Sequence, residues 1–94
     1  MNIGQTISKL RKDKKLNQTD FAEKVGITQT SLSQIESGRK SPNKTTLANI
    51  CAELGISELH LYLLSFDESD VPAEKRELYR QLEGPLKKLV ESLV

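Results

Sequence analysis

The stretch NQTDFAEKVGITQTSLSQIESG, Asn17 to Gly38, encodes two short helices around a tight glycine turn. Each helix marks its own start. The side-chain oxygens of Asn17 and Thr28 are placed to accept from the opening N–H groups of a helix, which have no partner within it. Between the two, Gly26 supplies the left-handed backbone that stops a helix sharply. Phe21, Ala22 and Val25 recur at helical spacing, Ile27 occupies the turn, and Leu32 and Ile35 continue the inward face of the second helix. The rest of that second helix is small or amide-bearing.

Outward from this core the pattern stays helical. A first helix is expected from about Ile3 to Lys14, with Ile3, Ile7 and Leu10 facing inward and Leu16 closing the turn after it. After Gly38 comes a basic loop, Arg39-Lys40-Ser41-Pro42-Asn43-Lys44, through which Pro42 allows no helix to continue. Thr45 to Leu54 reads as a fourth helix ended by Gly55, and Ser57 caps a short fifth helix through Leu64. Its Leu59, Leu61, Tyr62, Leu63 and Leu64 are too apolar to be simply exposed.

Phe66 to Val71 is a polar connection, and Asp70-Val71-Pro72 has the form of a helix start. In the tail beyond, Leu78, Leu82, Leu86, Leu89 and Leu93 fall on one stripe of a continuous helix. Gly84-Pro85 interrupts that stripe, and the missing N–H of proline predicts a kink or two separate helices. The expected fold is all-α: a five-helix domain over residues 1–66, followed by an amphipathic helical tail over residues 67–94.

The chain has 94 residues, enough to bury one small core but not enough to hold a separate sensor or catalytic domain beside it. Cys51, the only cysteine, lies in the apolar pattern Leu47, Ile50, Cys51, Leu54 and reads as a buried small hydrophobe. No apolar run follows Met1 and no window approaches the length that crosses a bilayer, so a cytoplasmic protein without membrane contact is expected. The formal charge of +1 conceals a segregation. Up to Ile56 there are nine basic against five acidic side chains, and from Ser57 onward five against eight. A basic first part with an acidic tail suits one face turned to phosphate and another turned away.

Catalysis has a poor inventory here. His60 is the only histidine and Cys51 the only thiol, no glycine-rich phosphate loop occurs, and no ligand cluster has metal spacing. His60 is expected at a surface or an interface. No catalytic residue, metal site or cofactor is assigned.

The ordered set Leu10-Arg11, Leu16-Asn17-Gln18, Phe21-Ala22, Val25-Gly26-Ile27, Ser31-Leu32-Ser33-Gln34-Ile35-Glu36, Gly38, Pro42, Leu47 and Leu54-Gly55-Ile56 resembles the lambda-repressor-like helix-turn-helix proteins, also called the Xre family of bacterial and phage regulators. The resemblance covers about Ile3 to Leu64 and leaves the tail outside. It implies a recognition helix, opening at Thr28, that lies in the major groove of double-stranded DNA. The family's base-reading positions fall on Gln29, Thr30 and Gln34, with Ser33 as a fourth. Glutamine both donates and accepts, which matches the edge of adenine, and threonine can press its methyl against thymine.

Phosphate contacts position such a protein, and exposed amides at helix starts suit them. Asn17, Gln18 and Thr28 stand at such starts. The resemblance adds Arg39, Asn43 and Lys44 after Gly38, with Lys40 contributing charge. It also implies an ion pair between Arg11 and Glu36 that ties the first helix to the end of the recognition helix.

The leucine stripe either folds back onto its own domain or meets a partner, and partner contact is the expectation, because a palindromic site rewards a two-fold homodimer. The leading functional expectation is a sequence-specific transcriptional regulator, a dimeric repressor of a palindromic operator. Two other readings stay open: an antitoxin whose tail masks a toxin while it autoregulates its operon, and a protein-interaction module working through the tail.

Overall fold

The structure, a computed structural model, describes residues 1–93; Val94, the last residue of the expected tail, lies outside the described residues. Six α-helices and no strand occur among them: α1 Ile3–Asp13, α2 Gln18–Val25, α3 Gln29–Glu36, α4 Lys44–Leu54, α5 Glu58–Ser65 and α6 Arg76–Ser92. Single 3-10 turns at Glu68–Asp70 and Ala73–Lys75 join the last two. Local chemistry sets these boundaries. The side chains of Asn2, Asn17, Thr28, Asn43 and Ser57 each accept from an amide in the first turn of the helix they precede. Gly26 and Gly55, at φ +86° and +72°, close α2 and α4 in the left-handed region.

Once formed, the helices bury one apolar cluster. Ile7 of α1, Phe21 of α2, Leu32 of α3, Ile50 of α4 and Leu61 of α5 are fully enclosed, with Cys51 buried among them. Burial of this kind stabilises by about 1.5–3 kcal/mol per large side chain and holds α3 against α1 and α2. Gly4 sets the approach of α1 to α3. A Cβ at this position would stand 2.1 Å from the carbonyl oxygen of Ile35, a distance that no side chain tolerates.

The tail departs from the sequence expectation in two respects and meets it in another. The helix expected to open at Asp70-Val71-Pro72 starts only at Arg76, because the Asp70 carboxylate accepts from the amide of Asp67 and the amino group of Met1 rather than capping a following turn. α6 runs unbroken through Gly84 and Pro85 rather than splitting there. Gly84 has no Cβ to conflict with the proline ring, and Gln81, whose carbonyl loses its helical donor, lies on an exposed stretch where water is available. As a continuous helix, α6 does align its five leucines. All five are exposed, between 44% and 59%, so the stripe does not fold back onto the domain. The flank beside it makes the contact instead: Val90 is buried, and Tyr79 meets Phe66 edge to face with ring centroids 5.7 Å apart.

Two expectations for α5 are corrected. His60 is buried rather than at the surface, and of the five apolar residues only Leu61 is fully enclosed. Leu59 is 66% exposed. Eight residues span about two turns, so one side of α5 faces the core and the rest faces outward beside α6.

Candidate nucleic-acid interface

α3 is anchored from behind and open in front. Leu32 and Ile35 are buried, whereas Gln29, Thr30 and Gln34 are exposed and Ser33 is half-buried. At 3.6 residues per turn, Thr30 lies opposite the buried pair, with Ser33 and Gln34 on either side and Gln29 at the edge toward α2. All four predicted base readers therefore share one outer surface. Thr28 has a different immediate duty: its hydroxyl accepts from the amide of Ser31 at 3.0 Å and fixes the first turn of α3.

The predicted phosphate ligands flank this surface, and several of them cap helices. The Oδ1 of Asn17 accepts from Asp20 and the Oδ1 of Asn43 accepts from Thr46, each at 2.8 Å. These caps leave the amides of Gln18 and Thr19 at the start of α2, and of Lys44 and Thr45 at the start of α4, without helical partners. Such amides suit an anion, and the helix dipole adds to them. Arg39, Lys40 and Lys44 are exposed. The main chain ties the loop to the recognition helix, because the N–H groups of Arg39 and Lys40 donate to the carbonyl of Gln34 at 2.9 and 3.2 Å. The Lys40 ammonium hangs beside α3, 3.4 Å from the hydroxyl of Ser31.

Behind α3, the Arg11 guanidinium grips Glu36 with two prongs, Nε to Oε2 at 2.8 Å and Nη2 to Oε1 at 3.0 Å. Its remaining arm donates to the carbonyl of Leu16 at 2.7 Å. Both side chains of the pair are almost wholly enclosed. Desolvation by itself would raise the Glu36 carboxyl, but hydrogen bonds from Arg11 and Gln18, with the charge of Arg11, outweigh it and hold the group below the ordinary glutamate range. The pair fixes the orientation of α3 relative to α1.

Sequence reasoning missed the contacts that continue from this pair. Gln18 Nε2 donates to Glu36 Oε1 at 3.0 Å, and Gln29 Nε2 donates to Gln18 Oε1 at 2.8 Å. A chain of hydrogen bonds thus runs from Arg11 to the edge of the exposed surface. Its signal in the sequence was the pair of glutamines that open consecutive helices across a tight turn. The exposed Leu59 and Leu63 of α5 lie beside the leucine stripe of α6. No single helix among the described residues is long and apolar enough to cross a membrane.

Comparison with known proteins agrees with this geometry. The family HTH_3, described as helix-turn-helix, matches residues 7–61. The immunity repressor protein of Bacillus phage phi105 is 30% identical over 93 residues, which is 99% of this chain and 62% of the phage protein. Antitoxin PezA of Streptococcus pneumoniae is 35% identical over 81 residues, 86% of this chain and 50% of the antitoxin. The chain thus spans less than two thirds of either relative. Among solved structures, the clp gene regulator ClgR from Corynebacterium glutamicum superposes with a TM-score of 0.69 at 27% identity, covering 89% of each chain.

Proposed function

The chain belongs to the helix-turn-helix family HTH_3, a family of DNA-binding transcriptional regulators, and from that membership we propose that it is a sequence-specific repressor that occupies a palindromic operator as a homodimer. One observation carries the proposal: the exposed surface of Gln29, Thr30 and Gln34 on a helix pinned from behind by Leu32 and Ile35. With α3 in the major groove, Gln29 and Gln34 present paired donors and acceptors to base edges, the Thr30 methyl meets thymine, and Ser33 reaches the margin of the contact. Asn17, Gln18, Thr28, Arg39, Lys40, Asn43 and Lys44 set the register on phosphates.

Residues 1–66 form the DNA-binding part and residues 67–94 the dimerising tail. Leu78, Leu82, Leu86, Leu89 and Leu93 meet the same stripe on a second copy, which places two recognition helices for two half-sites. Repression follows from position, since a bound dimer excludes polymerase from overlapping sequence. The protein acts in the cytoplasm, in keeping with a buried free thiol at Cys51. Neutralisation of roughly six phosphates by Arg39, Lys40 and Lys44 of both subunits gives a log–log salt slope of about −5.

Selection of bound duplexes from a random library at moderate salt tests this reading. An enriched two-fold motif is the expected result, and a library that stays random through successive rounds contradicts it. A second reading, that of an antitoxin, is favoured by one feature, the open leucine stripe in a chain similar to PezA over 86% of its length. It requires a stoichiometric protein partner that leaves when Leu82 or Leu89 is replaced by lysine. Purification from the native cell as a homodimer alone rejects it.

A further inference from the structure

The leucine stripe of α6 is its own mirror image. Leu82 and Leu89 stand equally far from the midpoint between Pro85 and Leu86, and so do Leu78 and Leu93. A two-fold axis that crosses the helix at this midpoint sets Leu82 against Leu89 and Leu78 against Leu93, with the two helices running in opposite directions. We infer that two copies pair through antiparallel α6 helices, and that Leu78 of each copy fills a cleft in the other, between α5 and the end of α6. The inference rests on the homodimer reading above and adds to it the direction of pairing and a contact outside the tail.

A parallel pair also matches the stripe with itself, so the choice falls to what flanks it. α5 runs antiparallel to α6: Leu59 lies by Leu93 and Leu63 by Leu86, whereas Phe66 meets Tyr79. The exposed leucines of α5 thus widen the apolar surface beside the C-terminal half of the stripe. At that end Gly55, Ile56, Ser57, Leu59, His60 and Leu93 line an open cleft whose walls are chiefly apolar, which suits an aliphatic side chain. An antiparallel partner brings its Leu78 to this cleft and its Leu82 beside Leu63, and the symmetry returns both contacts. A parallel partner brings Leu93 and the polar Ser92 instead, and leaves Leu78 and Leu82 far from the α5 leucines.

Two further features favour the same direction. The dipoles of antiparallel helices attract, and those of parallel helices repel. Pro85 leaves the carbonyl of Gln81 without its helical donor. In the antiparallel pair Lys88 of the second copy comes within about 3 Å of the level of Gln81 along the axis, on the same flank, where its ammonium can donate to that carbonyl. The surface is also large enough. The five leucines of the stripe, with Leu59 and Leu63, expose roughly 700 Å² per copy, close to the ~800 Å² that each partner gives to a stable interface. The two domains then lie on one side of the helix pair, and the leucine register fixes the distance between the two recognition helices.

Disulfide trapping with the full chain tests this, since the only native thiol, Cys51, is buried. Leu82→Cys and Leu89→Cys are prepared as separate proteins, mixed and mildly oxidised. A disulfide needs Cβ atoms about 4 Å apart. Antiparallel helices give the mixed disulfide and little from either variant alone, because two thiols at position 82 are then about 10 Å apart along the axis. Leu59→Cys mixed with Leu78→Cys tests the cleft in the same way. Leu59→Lys, which changes a side chain exposed in the monomer and leaves the tail intact, is expected to raise the dimer dissociation constant about tenfold or more.

Disulfides that each variant forms with itself show parallel helices and overturn the inference. Trapping of position 82 with 89 but not of 59 with 78, or an unchanged dimer in Leu59→Lys, refutes the cleft contact. A wild type that sediments as a dimer while no pair of thiols is trapped places the interface elsewhere and overturns the inference as a whole. A wild type that sediments as a monomer removes the homodimer reading, and this inference with it.

Discussion

Gly4 of α1 lies so close to the carbonyl oxygen of Ile35 in α3 that a single added methyl would overlap it, at 2.1 Å. The obstacle is backbone, which cannot rotate away as a side chain can. Helix propensity alone favours alanine over glycine by about 1 kcal/mol. Gly4→Ala is nevertheless expected to destabilise the protein by about 1–3 kcal/mol, because relief of the overlap pushes α1 off the recognition helix. Urea unfolding measures this, and an increase in stability would show that the two helices are not in such contact.

Arg11 and Glu36 form a buried pair, and removing one partner strands the other. Glu36→Ala is expected to lower stability by about 3 kcal/mol, since Arg11 keeps its charge without the carboxylate that receives it. The pH dependence has a definite sign. The Glu36 carboxyl is depressed in the folded protein, so its contribution is complete above the ordinary glutamate range and fades as acid carries the pH down through the depressed value. Unfolding followed from neutral pH into that acidic range should show a stability loss in the wild type that is smaller in Glu36→Ala. Equal acid sensitivity in the two proteins would contradict the pairing.

Lys15 links α1 to α2 with φ +59°, the left-handed region that a non-glycine residue enters at a cost of about 1–2 kcal/mol. Lys15→Gly is expected to raise stability by about 0.5–1 kcal/mol after allowing for the extra freedom of glycine in the unfolded chain. Lys15→Val should do the reverse. Chemical denaturation of both variants checks the order.

The leucine stripe is open on the monomer, with Leu82 and Leu89 exposed at 47% and 59%. Leu82→Lys with Leu89→Lys should leave the unfolding of the monomer intact, shift the sedimenting species from dimer to monomer, and reduce binding to that of a single half-site. A dimer that survives both substitutions would place the interface elsewhere.

Much of this architecture was legible because its signals are local. Asn17, Thr28 and Ser57 announced their helices, Gly26 and Gly55 ended theirs, and the spacing of Phe21, Leu32 and Ile35 gave the inward faces. The features that escaped depend on what stands opposite in space. Gly4 looks like a weak helix position until Ile35 is placed beside it, and no periodicity pairs Gln18 with Gln29. At Gly84-Pro85 the local rule left a kink or a split open, and the helix does not split, since the absent Cβ and exposed Gln81 lessen the strain. His60 was misplaced because a helix of eight residues is too short for its apolar pattern to define a single face.

The central claim is that the outer surface of α3 reads base sequence. Affinity of the wild type and of Gln29→Ala with Gln34→Ala, each for the enriched duplex and for a scrambled duplex of equal length and salt, tests it most directly. The wild type should prefer the enriched duplex by about 1,000-fold or more. The double variant should unfold at an unchanged temperature and bind both duplexes alike. A variant that keeps the full preference would contradict the account.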